Sequence, residues 1–222
     1  MQRTTSNADD RTLTSSYGWT ESGDTESSSY VTPAVLAILE RLKARRILDL
    51  GCGNGQLCGA LHARGFEVTG VDADESGVSI ARNAYPGVRF FRAGVNEDPR
   101  QILVAEGLRH FDAVVSTEVV EHLSRRTCCR ATHMTLLITG GHLVVSTPYH
   151  GYLKNALVSL LGRWDHHHTA LWHGGHIKFW SYRTLSQLLE SNGFSVTAFQ
   201  GAGRLPFLWK SMIVTAQRVP CS

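Results

Sequence analysis

No apolar run in this chain reaches roughly 18 residues, the length needed to cross a bilayer as a helix. The N-terminus is polar, so no secretory leader is expected. Neither sign of charge dominates: 22 Lys and Arg against 19 Asp and Glu leave +3, too little to argue for nucleic acid or an anionic membrane as partner. Cysteine is sparse and poorly spaced. Cys52, Cys58, Cys128, Cys129 and Cys221 are odd in number, lack metal-type spacing, and include an adjacent pair that is a poor start for disulfides. A reducing cytoplasm is the expectation. There are no internal repeats. What remains is an ordinary globular mixture, 42% hydrophobic and 18% charged over 222 residues, enough for one domain with a substantial core.

Against that background one stretch stands out, Ile47-Leu48-Asp49-Leu50-Gly51-Cys52-Gly53-Asn54-Gly55. A short apolar run ends in an acid and a glycine-rich bend, and Leu57, Ala60 and Leu61 then recur with helical spacing. This predicts strand, tight loop, helix. Gly51, Gly53 and Gly55 leave no Cβ where a ligand must lie against the backbone. A second acid, Asp72, ends the strand-like run from Glu67 and lies 21 residues past Gly51, the separation expected of a carboxylate that takes ribose hydroxyls. The glycine pattern is G-x-G-x-G, not the G-x-G-x-x-G of nicotinamide binders. A pyrophosphate wants a helix N-terminus free of acids, and Asp49 would repel it. Asp49 would attract a cation instead. S-adenosylmethionine carries a sulfonium, an ammonium and a ribose, and no phosphate.

Read in order, residues 1–29 are rich in Ser, Thr, Asp and Gly and form an expected flexible N-terminal tail. Tyr17, Trp19 and Tyr30 interrupt it as parts of a lid over cofactor or acceptor. Thr32-Pro33 predicts a helix start. Strands are expected at about 46–50, 67–71, 88–92, 111–116, 142–148, 194–199 and 211–216. Helices are expected at 55–64, from Asp74 to Tyr85, from about Val119, ending near Leu136–Ile138, from Tyr152 to Leu161, and at 181–192. Alternating strands and helices imply an α/β fold with a mostly parallel sheet covered on both faces. The short link between the last two strands suits an antiparallel edge. Residues 30–222 thus read as one domain, with a substrate-capping insertion at about 149–180. Arg204, Trp209 and Lys210, before the last strand, could close a pocket or meet an acidic group.

From Ile47 to Val145 the chain resembles class I S-adenosylmethionine-dependent methyltransferases, with Ile47–Gly55 similar to their first motif and Val71-Asp72 to the end of their second strand. The resemblance is greatest to the O-methyltransferases of ubiquinone biosynthesis and extends weakly into Gly174-Gly175-His176-Ile177-Lys178-Phe179. It implies a Rossmann-like, seven-stranded sheet with an antiparallel last strand. It further implies that Asp49, Gly51, Cys52 and Gly53 line the methionine half of the cofactor and that Asp72, with Ala73, holds the ribose. Val95 and Asn96 would edge the adenine, and Ser116 and Thr117 would meet the methionine half from the fourth strand. S-adenosylhomocysteine would be the product. Segment 149–173 departs from the family, so substrate identity does not carry over.

The sulfonium methyl is already electrophilic, so the protein needs neither a covalent nucleophile nor a metal to activate the donor; it must align acceptor, methyl and sulfur. A phenolic acceptor, with a pKa near 10, benefits from a base. Six of the eleven His residues fall between His150 and His176. Gly174-Gly175 let the chain bend so that His176 faces the pocket, and His150 follows the fifth strand; these two are the candidate bases. Tyr149, Trp172 and His173 join Tyr17, Trp19 and Tyr30 as candidate acceptor contacts. Asp165-His166-His167-His168 with His173 could bind metal, but consecutive His side chains do not readily share one ion, and no metal is expected. Glu121 and His122 look catalytic yet begin a helix, where Glu121 has a capping or ion-pair role open to it. The leading reading is a cytoplasmic enzyme methylating a small molecule, at oxygen in preference, without nucleic acid and with a homodimer allowed. Transfer to nitrogen, a lyase or cyclase using the same cofactor, and a non-catalytic cofactor-binding scaffold are the alternatives.

Overall fold

The computed structural model describes residues 18–23, 25–93, 98–123, 136–165 and 176–219. Seven strands, β1 (Arg46–Leu50), β2 (Glu67–Asp72), β3 (Arg89–Arg92), β4 (Phe111–Thr117), β5 (Leu137–Pro148), β6 (Phe194–Ala202) and β7 (Ser211–Arg218), form one sheet in the order β3-β2-β1-β4-β5-β7-β6. The pairings from β3 to β5 are parallel, and β7 runs antiparallel to both β5 and β6. The helices are α1 (Ser28–Arg41), α2 (Gln56–Ala63), α3 (Glu75–Ala84), α4 (Pro99–Ala105), α5 (Tyr152–Leu160) and α6 (Tyr182–Glu190), with a 3₁₀ turn at Val120–His122.

The period-two alternation of the strands decides which helices cover which face. Ile47, Val68, Ala113, Val115, Val144 and Ile213 point to one side, where Val35 and Leu39 of α1, Leu57 and Leu61 of α2, and Val78 and Ala81 of α3 meet them. Their sequence neighbours Leu48, Val114, Leu143, Val145, Met212 and Val214 point to the other, against Leu103 of α4 and Leu185 and Leu189 of α6. Strands buried on both faces read as continuous apolar runs for this reason. The chain lays β2 and β3 to one side of β1, then crosses to place β4 on the other side. Ligands of open α/β sheets collect in the crevice at such a reversal, here beyond Leu50 and Thr117.

Three local expectations are corrected. The first helix begins a turn before Thr32-Pro33: the Val31 N–H donates to the Ser27 carbonyl at 2.9 Å, and Pro33 sits inside the helix. One missing N–H is tolerated there because Val31 and Val35 are buried against the sheet. Leu137 and Ile138 do not end a helix; they open β5, and Leu137 pairs with Phe111. Helix α4 was not foreseen. It is seven residues long, capped by the Asp98 carboxylate accepting from the Arg100 N–H, and only Pro99 and Leu103 are buried, too few to print a helical period.

Candidate active site

The glycine bend is stitched to the end of β2. The Gly51 and Cys52 N–H groups donate to the Val71 carbonyl at 2.8 and 3.2 Å, and the Gly53 N–H donates to Asp72 Oδ2 at 2.7 Å. Asp72 Oδ1 accepts from the Asp74 N–H at 2.8 Å. A carboxylate has about four acceptor positions, so Asp72 holds the bend in place with acceptor capacity to spare. Burial raises its pKa, and the backbone N–H groups of Asp74, Gly53 and Ala73 oppose that shift. Ala73 lies between these anchored residues, partly exposed. Gly51, at φ +84°, is where the absent side chain matters: a Cβ there would stand 2.3 Å from Val119 Cγ2. The Cys52 side chain is buried in the apolar cluster behind the bend.

Asp49 is 1% exposed. The Cys58 thiol donates to Oδ2 at 3.2 Å, and Oδ1 has no hydrogen-bond partner among the described residues. Burial, with a smaller contribution from the Asp72 charge, pushes its pKa up to about 7. A buried carboxylate with an orphaned oxygen is a candidate partner for a cation.

The N-terminal segment lies over this bend. Asn54 Nδ2 donates to the Glu21 and Gly23 carbonyls, both at 3.0 Å. The Trp19 ring lies so close that a Cβ on Gly53 would be 2.7 Å from its Cζ2, and one on Gly77 2.9 Å from its Cδ1. Glu26 pairs with Lys210 at 2.8 Å, and the Lys210 ammonium sits 5.2 Å above the Tyr30 ring. Tyr30 belongs to α1, not to an extended tail.

At the end of β4 the Ser116 hydroxyl donates to the Leu50 carbonyl at 2.9 Å, tying β4 to β1. Thr117, beside Ser146 in the sheet, is partly exposed. Glu118 turns the chain at φ +55°, its carboxylate accepting from the Ser146 hydroxyl at 2.7 Å. That bend drops Val119 onto Gly51 and begins the 3₁₀ turn. Residues 176–180 are sewn to this turn. The Ile177 and Lys178 N–H groups donate to the Glu121 carbonyl, both at 3.1 Å, and the Trp180 indole donates to the Val120 carbonyl at 3.2 Å. These bonds bring His176 beside Glu121, 55 positions earlier. Glu121 is wholly buried, and neither of its carboxylate oxygens has a hydrogen-bond partner among the described residues. Its Oε1 lies 4.0 Å from both His122 Nε2 and His176 Nε2, and the two imidazoles stand edge to face at 5.1 Å. Burial, reinforced by the Glu118 charge, raises the Glu121 pKa well above the usual carboxylate range.

The remaining candidates divide. His150 stacks edge to face on Phe179 at 5.1 Å, next to the same segment. Tyr149 packs on Trp209 at 5.1 Å, and its N–H donates to the Lys210 carbonyl. Tyr17, Val95, Asn96, Trp172 and His173 lie outside the described residues, as does the whole His166–His173 run. Sequence reasoning missed the grouping of Glu121, His122 and His176, whose ligand-type atoms all lie within 4.8 Å of one another. The adjacent Glu-His at a strand end was a visible signal, but its partner came only with the fold.

With this geometry in view, residues 26–198 match a family described as a methyltransferase domain, and the chain belongs to it. Among curated proteins it is similar to the ubiquinone biosynthesis O-methyltransferase of Roseobacter denitrificans, 32% identical over 183 residues, 78% of this chain and 69% of that protein. It is also similar to the one from Stutzerimonas stutzeri, 34% identical over 110 residues, 48% of this chain and 45% of that protein. The chain spans about half the length of the first such relatives. In fold it is similar to the magnesium protoporphyrin IX methyltransferase of Synechocystis, solved with S-adenosylhomocysteine bound, at a TM-score of 0.62 and 19% identity over 85% of this chain and 82% of that one.

Proposed function

We propose that this protein transfers the methyl group of S-adenosylmethionine to an oxygen of a small-molecule acceptor, with His176 taking the proton. The reading rests on one observation: His176, from the loop before α6, is held beside the buried Glu121 just past the carboxyl end of β4. Asp49, Gly51, Cys52 and Gly53 take the methionine half of the cofactor, Asp72 and Ala73 the ribose, Val95 and Asn96 the adenine edge, and Ser116 and Thr117 the far wall. Trp19 and Tyr30 close over the site from the N-terminal segment, and His150 and Tyr149 border the acceptor. The acceptor hydroxyl gives its proton to His176, its oxygen forms the bond to the methyl carbon, and the carbon–sulfur bond breaks to leave neutral S-adenosylhomocysteine.

A second reading has a specific observation behind it. Glu121, His122 and His176 offer one oxygen and two nitrogens, and the orphaned Glu121 carboxylate fits a divalent cation. Bound there, a cation would supply Lewis acidity that lowers the pKa of an acceptor hydroxyl.

The test is product analysis with S-adenosylmethionine alone and then with catechol, phenol and amine panels. S-adenosylhomocysteine formed only with a hydroxyl acceptor is the expected result; methylthioadenosine without acceptor would mean a lyase, and amine methylation would move the reaction to nitrogen. His176→Ala is expected to lower turnover by roughly 10²–10⁴ while cofactor affinity holds. Metal content after dialysis, with Mn²⁺-dependent melting of wild type and Glu121→Gln, separates the two readings: a cation site loses its Mn²⁺-induced shift in the variant, whereas a metal-free base never shows one.

A further inference from the structure

A cavity of about 490 Å³ opens between α5 and the β6–β7 connection, within the ~300–1,000 Å³ span of small-molecule sites. Lys154, Leu157, Val158 and Leu161 have the i, i+3, i+4, i+7 spacing of one helical face, and Arg204, Leu205 and Leu208 stand opposite, with Arg163 just past the helix. Five of the eight lining side chains are therefore aliphatic and the other three are cations. Leu157, Leu161 and Leu205 are 37%, 66% and 70% exposed, apolar surface that the described residues leave to water.

The cations are short of anions. Lys154 is 5% exposed, yet among the described residues its ammonium donates only to neutral acceptors, the Tyr149 carbonyl at 2.8 Å and the Lys210 carbonyl at 3.4 Å. An ammonium has three donors, so one is left. Neither Lys154, Arg163 nor Arg204 makes an ion pair among the described residues. Two acids act on this cluster from a distance, and neither makes an ion pair with it. Glu118 accepts from Ser146, and Glu26 is paired with Lys210. Burial and the nearby Arg204 and Lys210 charges pull the Lys154 pKa down to about 8. A desolvated ammonium among like charges is costly unless an anion joins it.

We infer that this cavity binds a single-chain amphiphile with an anionic head, its hydrocarbon laid among Leu157, Val158, Leu161, Leu205 and Leu208 and its head on Lys154 and Arg204. The inference does not depend on the methyl-transfer reading, because its test reads binding alone. Dodecanoate and dodecyl phosphate, kept below their micelle concentrations, would be titrated into the intact protein by calorimetry and followed by native mass spectrometry. Dodecanol and dodecyltrimethylammonium serve as neutral and cationic counterparts. One dodecanoate per chain is expected, with dodecanol at least tenfold weaker and the cation not bound. Affinity rises from octanoate to dodecanoate by up to about fourfold per methylene. The relative strengths of carboxylate and phosphate then tell which head the site favours. Lys154→Met removes the preference for dodecanoate over dodecanol, and Arg204→Gln, at an exposed position, weakens dodecanoate alone. Absent dodecanoate binding, equal binding of dodecanol, or an unchanged preference in both variants would overturn the inference.

Discussion

Asp49 and Asp72 are both acids at strand ends, yet they do different work. Asp72 is braced by two backbone N–H groups, so its charge is stabilised where ribose hydroxyls would arrive. Asp72→Ala is expected to weaken S-adenosylmethionine binding by about 1.5–3 kcal/mol per lost charge-assisted bond, measured by calorimetry. Asp49 is buried with one oxygen orphaned, and its pKa near 7 compares with 3.8 when exposed. The folded state then holds a proton that the unfolded chain gives up near pH 4. Stability is full below that pH, falls as pH rises towards 7, and is flat above it. Asp49→Asn should remove this slope and leave the cofactor-free protein up to about 4 kcal/mol more stable than wild type at pH 8, the difference vanishing at pH 4. Denaturant melts at the two pH values check it. The same variant should bind the cofactor less tightly, since the cation loses its counter-charge.

Among the elements, the glycine bend carries the most constraint. Gly51 combines φ +84° with a Val119 methyl pressed against its Cα. Gly51→Ala should cost about 1–2 kcal/mol from backbone conformation and more from the clash, and adding Val119→Ala should return only the clash component, read from chemical denaturation of the single and double variants. The N-terminal segment is held to the bend by Asn54, Trp19 and the Glu26–Lys210 pair. Trp19→Ala should weaken cofactor binding and speed proteolysis within residues 18–27, whereas unchanged affinity would relegate the segment to a packing role. These element-level contacts explain where sequence patterns misled. Thr32-Pro33 looks like a helix start because Pro favours the first position, but buried Val31 extended the helix a turn earlier. Leu136, Leu137 and Ile138 read as helix or strand equally well, and pairing with β4 decided for strand.

At the scale of the whole molecule, a ligand that binds only the folded chain stabilises it by about 2.7 kcal/mol at a hundredfold excess over Kd. For a chain of 222 residues that corresponds to roughly 5–10 °C in Tm. S-adenosylmethionine and S-adenosylhomocysteine should both produce such a shift in a thermal melt, and NADH should not. No helix among the described residues is long and apolar enough to cross a membrane. The amino-acid order alone determined the alternating strands and helices, the acid-flanked glycine bend and the acid that follows it. Each of these lies within about 25 consecutive residues, and local periodicity and backbone freedom dictate it. Only the tertiary structure decided that His176 meets Glu121 and His122, that Trp19 lies on Gly53, and that Lys154 and Arg204 line one cavity. Those partners are about 35 to 55 positions apart, and nothing local in the chain encodes a contact that exists only once the sheet has set its strand order and the loops have been sewn to its carboxyl edge.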